Sequence, residues 1–109
     1  VARRIARGEI WQYRFAHPDR RRPVLVISRE EAIGALRTVM VAPITSTRHG
    51  IATEVDLDSK HGMKGPCAVN LDHVHTVPQR ELRRYVSTLS PELMAAVCRA
   101  LAVATGCAT

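Results

Sequence analysis

Arg22-Pro23-Val24-Leu25-Val26-Ile27-Ser28 is a basic approach that runs straight into an apolar segment rich in β-branched residues. That pattern reads as a central strand of a barrel or sheet. Pro23 fixes its own φ and biases Arg22 towards an extended conformation, which holds the guanidinium at the mouth of the strand. An arginine so placed suits phosphate chemistry. The plainer alternative is that Arg20, Arg21 and Arg22 simply keep a strand end solvated.

Upstream, Glu9 to Phe15 alternates, with Trp11, Tyr13 and Phe15 on one face and Gln12 and Arg14 on the other. This is the period of a half-buried strand. Its aromatics serve as barrel wall, the alternative being an edge ring that stacks on a base. Ala16-His17-Pro18-Asp19 is a turn leading to Arg22.

Downstream, Ser28-Arg29-Glu30-Glu31 has the spacing of a capping box, and a short helix to about Leu36 is expected. Thr38 to Ala42 is another strand, ended by Pro43-Ile44-Thr45-Ser46-Thr47, which presents three hydroxyls. Such hydroxyls commonly bond their own backbone. Thr53 to Leu57 alternates as an outer strand with a charged solvent face. Asp58 to Pro66, with Gly62, Gly65, Lys60, His61 and Lys64, reads as a long, basic, mobile connection. Cys67 to Asp72 is a strand with Asn70 and Asp72 on one face. It continues through His73 to Val77, with the imidazoles on opposite parity to Asp72 unless a bulge intervenes. Pro78 to Arg84 begins as a turn or short helical piece, and Tyr85 to Leu89 is a final strand. Ser90-Pro91-Glu92 then supplies a cap, a first-position proline and a first-turn acid. Leu93, Met94, Val97 and Leu101 recur at helical spacing, which predicts a terminal amphipathic helix with Met94 and Cys98 in the core.

The chain has 109 residues, a length that suits one domain spanning 1–109. Sixteen Lys and Arg against ten Asp and Glu give a formal charge of +6, for which a polyanion is the natural partner, although a charge run is often only a solvated face. Cys67, Cys98 and Cys107 form no C-x-x-C, and their odd number argues for reduced thiols in the cytoplasm. No apolar run approaches membrane-spanning length. His73 and His75 lie at i, i+2 without a third ligand at diagnostic spacing, so no metal site is expected.

The order Gly8-Glu9-Ile10-Trp11, Arg22-Pro23-Val24-Leu25-Val26, Ala42-Pro43-Ile44-Thr45-Ser46, then Val69-Asn70-Leu71-Asp72 and a C-terminal helix resembles the MazF/PemK (Kid) family of toxin ribonucleases. The resemblance covers nearly the whole chain. It implies a mainly β fold with short helices (α+β), an SH3-like twisted β-barrel carrying the C-terminal amphipathic helix. It further implies a homodimer that cleaves single-stranded RNA without metal or cofactor. A cognate MazE-like antitoxin with an acidic, flexible segment is the implied protein partner.

By the same resemblance, a ribose 2′-hydroxyl attacks the adjacent phosphate and leaves a 2′,3′-cyclic phosphate and a 5′-hydroxyl. Arg22 would stabilise the developing charge, Thr45 and Ser46 would orient the phosphate or 2′-hydroxyl, and Asp72 is the candidate base or nucleotide-fixing acid. Glu9 is implied to support the substrate-binding site, with His17 in the shortened loop before Arg22. Asn70 stands where some members carry a catalytic arginine. His73 replaces a usual glutamine and His75 a frequent basic residue, and each is a candidate acid or base because imidazole titrates near neutral pH. Two competing readings share the surface: a CcdB-type toxin of the same fold that acts by binding, and a non-catalytic nucleic-acid-binding module.

Overall fold

The computed structural model describes residues 4–16 and 21–108. Among the described residues there are seven strands: β1 (Glu9–Arg14), β2 (Arg21–Val26), β3 (Thr38–Thr45), β4 (Glu54–Leu57), β5 (Cys67–Asn70), β6 (His75–Pro78) and β7 (Arg84–Thr88). Two α-helices accompany them, α1 (Glu30–Ala35) and α2 (Pro91–Ala104), with 3-10 turns at Ser59–His61, Leu71–His73 and Gln79–Glu81. The strands follow the order β4-β5-β3-β2-β1-β7, with β6 also paired to β3. All pairings are antiparallel.

β2 lies between β1 and β3, and Val24, Leu25 and Val26 are fully buried. Their alternation feeds two cores. Leu25 joins Ile10, Ile44, Leu57, Val69 and the α2 residues Val97 and Ala100; Val24 and Val26 join Trp11, Ile33, Val39, Val41 and Val77. A strand that must bury both faces has no room for alternating polar residues, which is why its sequence is continuously apolar.

Two prolines shape the sheet. The pairing of β2 with β3 runs from Val26 opposite Val41 to Val24 opposite Pro43, and stops. Pro23 and Pro43 have no N–H to give a ladder. Beyond them β2 continues beside β1, where Arg22 faces Tyr13, while β3 continues beside β5, where Thr45 faces Ala68. The sheet therefore forks at the strand ends that carry Arg22 and Thr45.

β5 and β6 lie on one edge of β3. His75 faces Val41 and Val69 faces Ile44, so three residues along β3 correspond to six along its partner. The excess is looped out as the 3-10 turn Leu71–His73, capped by Asn70, whose side chain accepts from Asp72 N. The strand expected to run through Asp72 is thus interrupted, and the parity separating the imidazoles from Asp72 no longer holds.

Several local expectations meet a different partner. Ser28 does not cap α1: it is buried, and its Oγ accepts from Met40 N at 2.8 Å, while the N-cap is Arg29 without a side-chain bond. Ser28 serves the β3 backbone where β2 has ended, giving the Met40 N–H a partner that the ladder no longer supplies. The Asp58–Pro66 connection is built rather than loose. Asp58 accepts from Lys60 N at 2.9 Å, Asp58 N donates to His61 Nδ1 at 3.0 Å, and Ser87 Oγ donates to His61 O at 2.6 Å. In α2, Ser90 accepts from Leu93 N as expected, and Met94 packs on the core; Cys98, however, is exposed beside Arg7 Nη2 at 3.2 Å. No helix among the described residues is long and apolar enough to cross a membrane.

Candidate active site

The fork and the 3-10 turn open onto one cleft of about 590 Å³, lined by Phe15, Arg22, Pro43, Thr45, Asn70, Asp72, His73, Val74 and His75. β2 contributes Arg22 from the end no longer paired to β3, and β3 contributes Thr45 from the opposite prong of the fork. The looped-out turn places Asp72 and His73 on the same cleft as His75, the first residue of β6.

The carboxylate of Asp72 is held from a distant segment. Thr53 Oγ1 donates to Asp72 Oδ2 at 2.6 Å, and Asp72 N donates to Asn70 Oδ1 at 2.9 Å. Asn70 thus acts through its carbonyl oxygen as a cap, which accounts for an amide two residues before an acid. Thr45 Oγ1 donates to Thr47 O at 2.9 Å, the local bond expected of such hydroxyls, and its oxygen still has acceptor capacity. His75 meets the edge of Phe15 with ring centroids 5.4 Å apart, and Phe15 meets Tyr13 at 4.9 Å. The three rings meet edge to face, and Phe15 and His75 among them line the cleft.

Two titration shifts lie outside the residues that line this cleft. Burial, then the hydrogen bond from its hydroxyl to Glu81 Oε1 at 3.2 Å, raise the Tyr13 pKa above the ordinary value, so the phenol stays a neutral donor. On the loop before β4, His49 N and Nδ1 each lie 2.8 Å from a Glu54 carboxylate oxygen. That bond from the imidazole, followed by burial acting the other way, leaves the Glu54 pKa lowered. The side chain of Glu54 is only 2% exposed, so the charged face expected of β4 is reduced to Asp56.

Of the residues singled out in the sequence, Arg22, Thr45, Asn70, Asp72, His73 and His75 come together here. Ser46 lines a neighbouring cleft instead. Glu9 is placed elsewhere: it is 4% exposed, and its Oε1 accepts from Ala6 N at 2.9 Å and Trp11 Nε1 at 3.0 Å, the bonds of a buried strut. His17 lies outside the described residues. The sequence pattern makes Phe15 barrel wall and does not mark Thr53. The parity that put Phe15 on the face of Tyr13 was a usable signal; nothing local to Thr53 marks it as a partner of Asp72.

The cleft gathers one fixed positive charge, a carboxylate, two imidazoles and a hydroxyl. That set can bind a phosphodiester, stabilise added negative charge on it and move protons at two positions. Among the described residues no group of three His, Cys, Asp or Glu is placed to hold a metal ion.

The family described as PemK-like, MazF-like toxin of type II toxin-antitoxin system matches residues 6–105. The chain is 43% identical over 103 residues to the probable endoribonuclease MazF5 of Mycobacterium tuberculosis, covering 94% of each. Among solved structures it resembles the M. tuberculosis toxin MazF-mt6, with a TM-score of 0.82 at 35% identity over 90% of this chain and 96% of that one. It also resembles a mycobacterial endoribonuclease in complex with its cognate antitoxin, with a TM-score of 0.86 at 26% identity over 96% and 98% of the two chains.

Proposed function

Since the chain belongs to the PemK-like, MazF-like toxins of type II toxin-antitoxin systems and is an endoribonuclease like its named relatives, we propose that it cleaves single-stranded RNA in the Arg22 cleft. The observation that carries this reading is the convergence of Arg22, Thr45, Asp72, His73 and His75 from separate segments on one cleft. The 2′-oxygen of the ribose forms the new P–O bond as its proton passes to Asp72, whose carboxylate Thr53 holds in place. The guanidinium of Arg22 bonds the non-bridging oxygens as their charge grows, and Thr45 orients them. The bond to the 5′-oxygen breaks, and that oxygen takes a proton from His73 or His75. The products are a 2′,3′-cyclic phosphate and a 5′-hydroxyl. No water is consumed, and the step is a transesterification.

The domain spans 1–109 and acts in the cytoplasm as a homodimer, for which exposed Leu36 and Met40 offer an apolar contact. Its protein partner is a cognate antitoxin with an acidic segment suited to a chain of charge +6.

Incubation with a long single-stranded RNA in excess EDTA, followed by end-group analysis, tests the reading. Discrete fragments with cyclic-phosphate and 5′-hydroxyl ends are expected. Arg22→Ala should slow their formation by about 10²–10³-fold, as removal of a preorganised charge donor does. Tight RNA binding without cleavage would instead identify a binding protein.

A further inference from the structure

The fork between β2 and β3 opens on both faces of the sheet. One face carries the Arg22 cleft; the other carries a second cleft of about 680 Å³, walled by the Gly62–Pro66 connection. Thr45 lines both. The second cleft has apolar Pro23 and Met63 in its lining, above the buried Ile44, and its rim carries Arg21, Lys64 and Arg84. Ion pairs among the described residues join Arg48 to Asp56, His49 to Glu54 and His61 to Asp58, and none of these includes Arg21, Lys64 or Arg84. The wall is fixed by the bond of Ser87 Oγ to His61 O at 2.6 Å. Arg21 and Arg84 also border a further depression with Arg83 and Glu81, so a mainly basic surface continues away from the scission point.

An apolar lining under a cationic rim suits a base with its phosphates, and the volume is within the range of roughly 300–1,000 Å³ usual for small-ligand sites. Resting on the ribonuclease reading above, we infer that this second cleft is a subsite for a nucleotide flanking the scissile phosphate, reached around Thr45. The base lies against Pro23 and Met63, and Arg84 with Lys64 holds the adjoining phosphate. Continuity with the cleavage cleft through Thr45 favours RNA over an acidic peptide here.

The test begins by mapping the cleavage sites of the wild-type protein on a long single-stranded RNA, then measures kcat and KM on an oligonucleotide holding one such site. Arg84→Ala should raise KM roughly tenfold, the loss of one hydrogen bond to a charged group, with kcat within about twofold. The slope of log(kcat/KM) against log salt should become shallower by about 0.7, one phosphate contact on a single strand. Lys64→Ala, a surface change that leaves the fold intact, should act in the same direction. Met63→Ala should broaden the base accepted at one flanking position. Arg99→Ala, exposed on α2, is the control and should change none of these.

Wild-type cleavage with unchanged KM, salt slope and site preference in all three cleft variants overturns the subsite alone. If these variants weaken only the binding of an acidic antitoxin peptide, the cleft belongs to the peptide and the inference is equally overturned. Absence of cleavage by the wild-type protein removes the ribonuclease reading, and the subsite with it.

Discussion

Gly62→Ala measures how firmly the wall of the second cleft is built. Gly62 has φ +85°, and a Cβ there would stand 2.9 Å from Ser87 Oγ and 3.0 Å from Ser87 Cβ. The left-handed conformation costs a residue bearing a Cβ about 1–2 kcal/mol. Displacing the Ser87 hydroxyl also removes its hydrogen bond to His61 O, worth about 1 kcal/mol. The expected loss is therefore about 2–3 kcal/mol, a sizeable part of the usual ~5–15 kcal/mol of a domain. Urea denaturation followed by circular dichroism reads it as a lowered midpoint at unchanged slope. Gly65→Ala is the control, because nothing lies within 4 Å of the added methyl, and it should stay within about 0.5 kcal/mol of wild type. Combining Gly62→Ala with Ser87→Ala should cost less than the sum of the two, since both remove the same hydrogen bond. A Gly62→Ala protein within about 0.5 kcal/mol of wild type, or strict additivity in the double variant, would refute the packing argument for this wall.

Four further outcomes follow from the structure. Glu54 has its folded pKa lowered below the ordinary 4.5 by His49, so its contribution to stability is complete above that value and lost as pH falls through the folded pKa; denaturation midpoints of wild type and Glu54→Gln should converge on acidification from pH 6 towards 3. Burial pushes the Cys67 thiol up, while Cys98 and Cys107 are exposed, so a disulfide reagent near pH 8 should label the latter two at once and Cys67 only on unfolding. Asn70→Ala removes the acceptor that caps the Asp72 turn and should lower kcat about 10-fold or more, whereas Asn70→Asp, which keeps the acceptor, should retain more activity; equal rates would separate the cap from catalysis. Leu25→Ala, fully buried between the sheet and α2, should cost about 2–5 kcal/mol by the same denaturation assay.

Much of this protein was legible in its residues. The apolar run through Val24 to Val26 predicted an interior strand, and Ser90-Pro91-Glu92 predicted the start of α2, because strand burial and helix capping depend on neighbours a few residues apart. The ordered tags around Glu9, Arg22, Thr45 and Asp72 carried the family. Tertiary structure decided which polar groups meet. Ser28 was recruited by Met40, Glu9 was buried under Trp11, and Thr53 was brought to Asp72 across 19 residues of sequence. The Leu71–His73 turn, capped locally by Asn70, exists because β5 and β6 must share one edge of β3, a register set by pairing with a distant strand. Short-range chemistry determined the elements; the pairing of distant strands, and the two prolines at which that pairing ends, determined where the cleft opens and which side chains face into it.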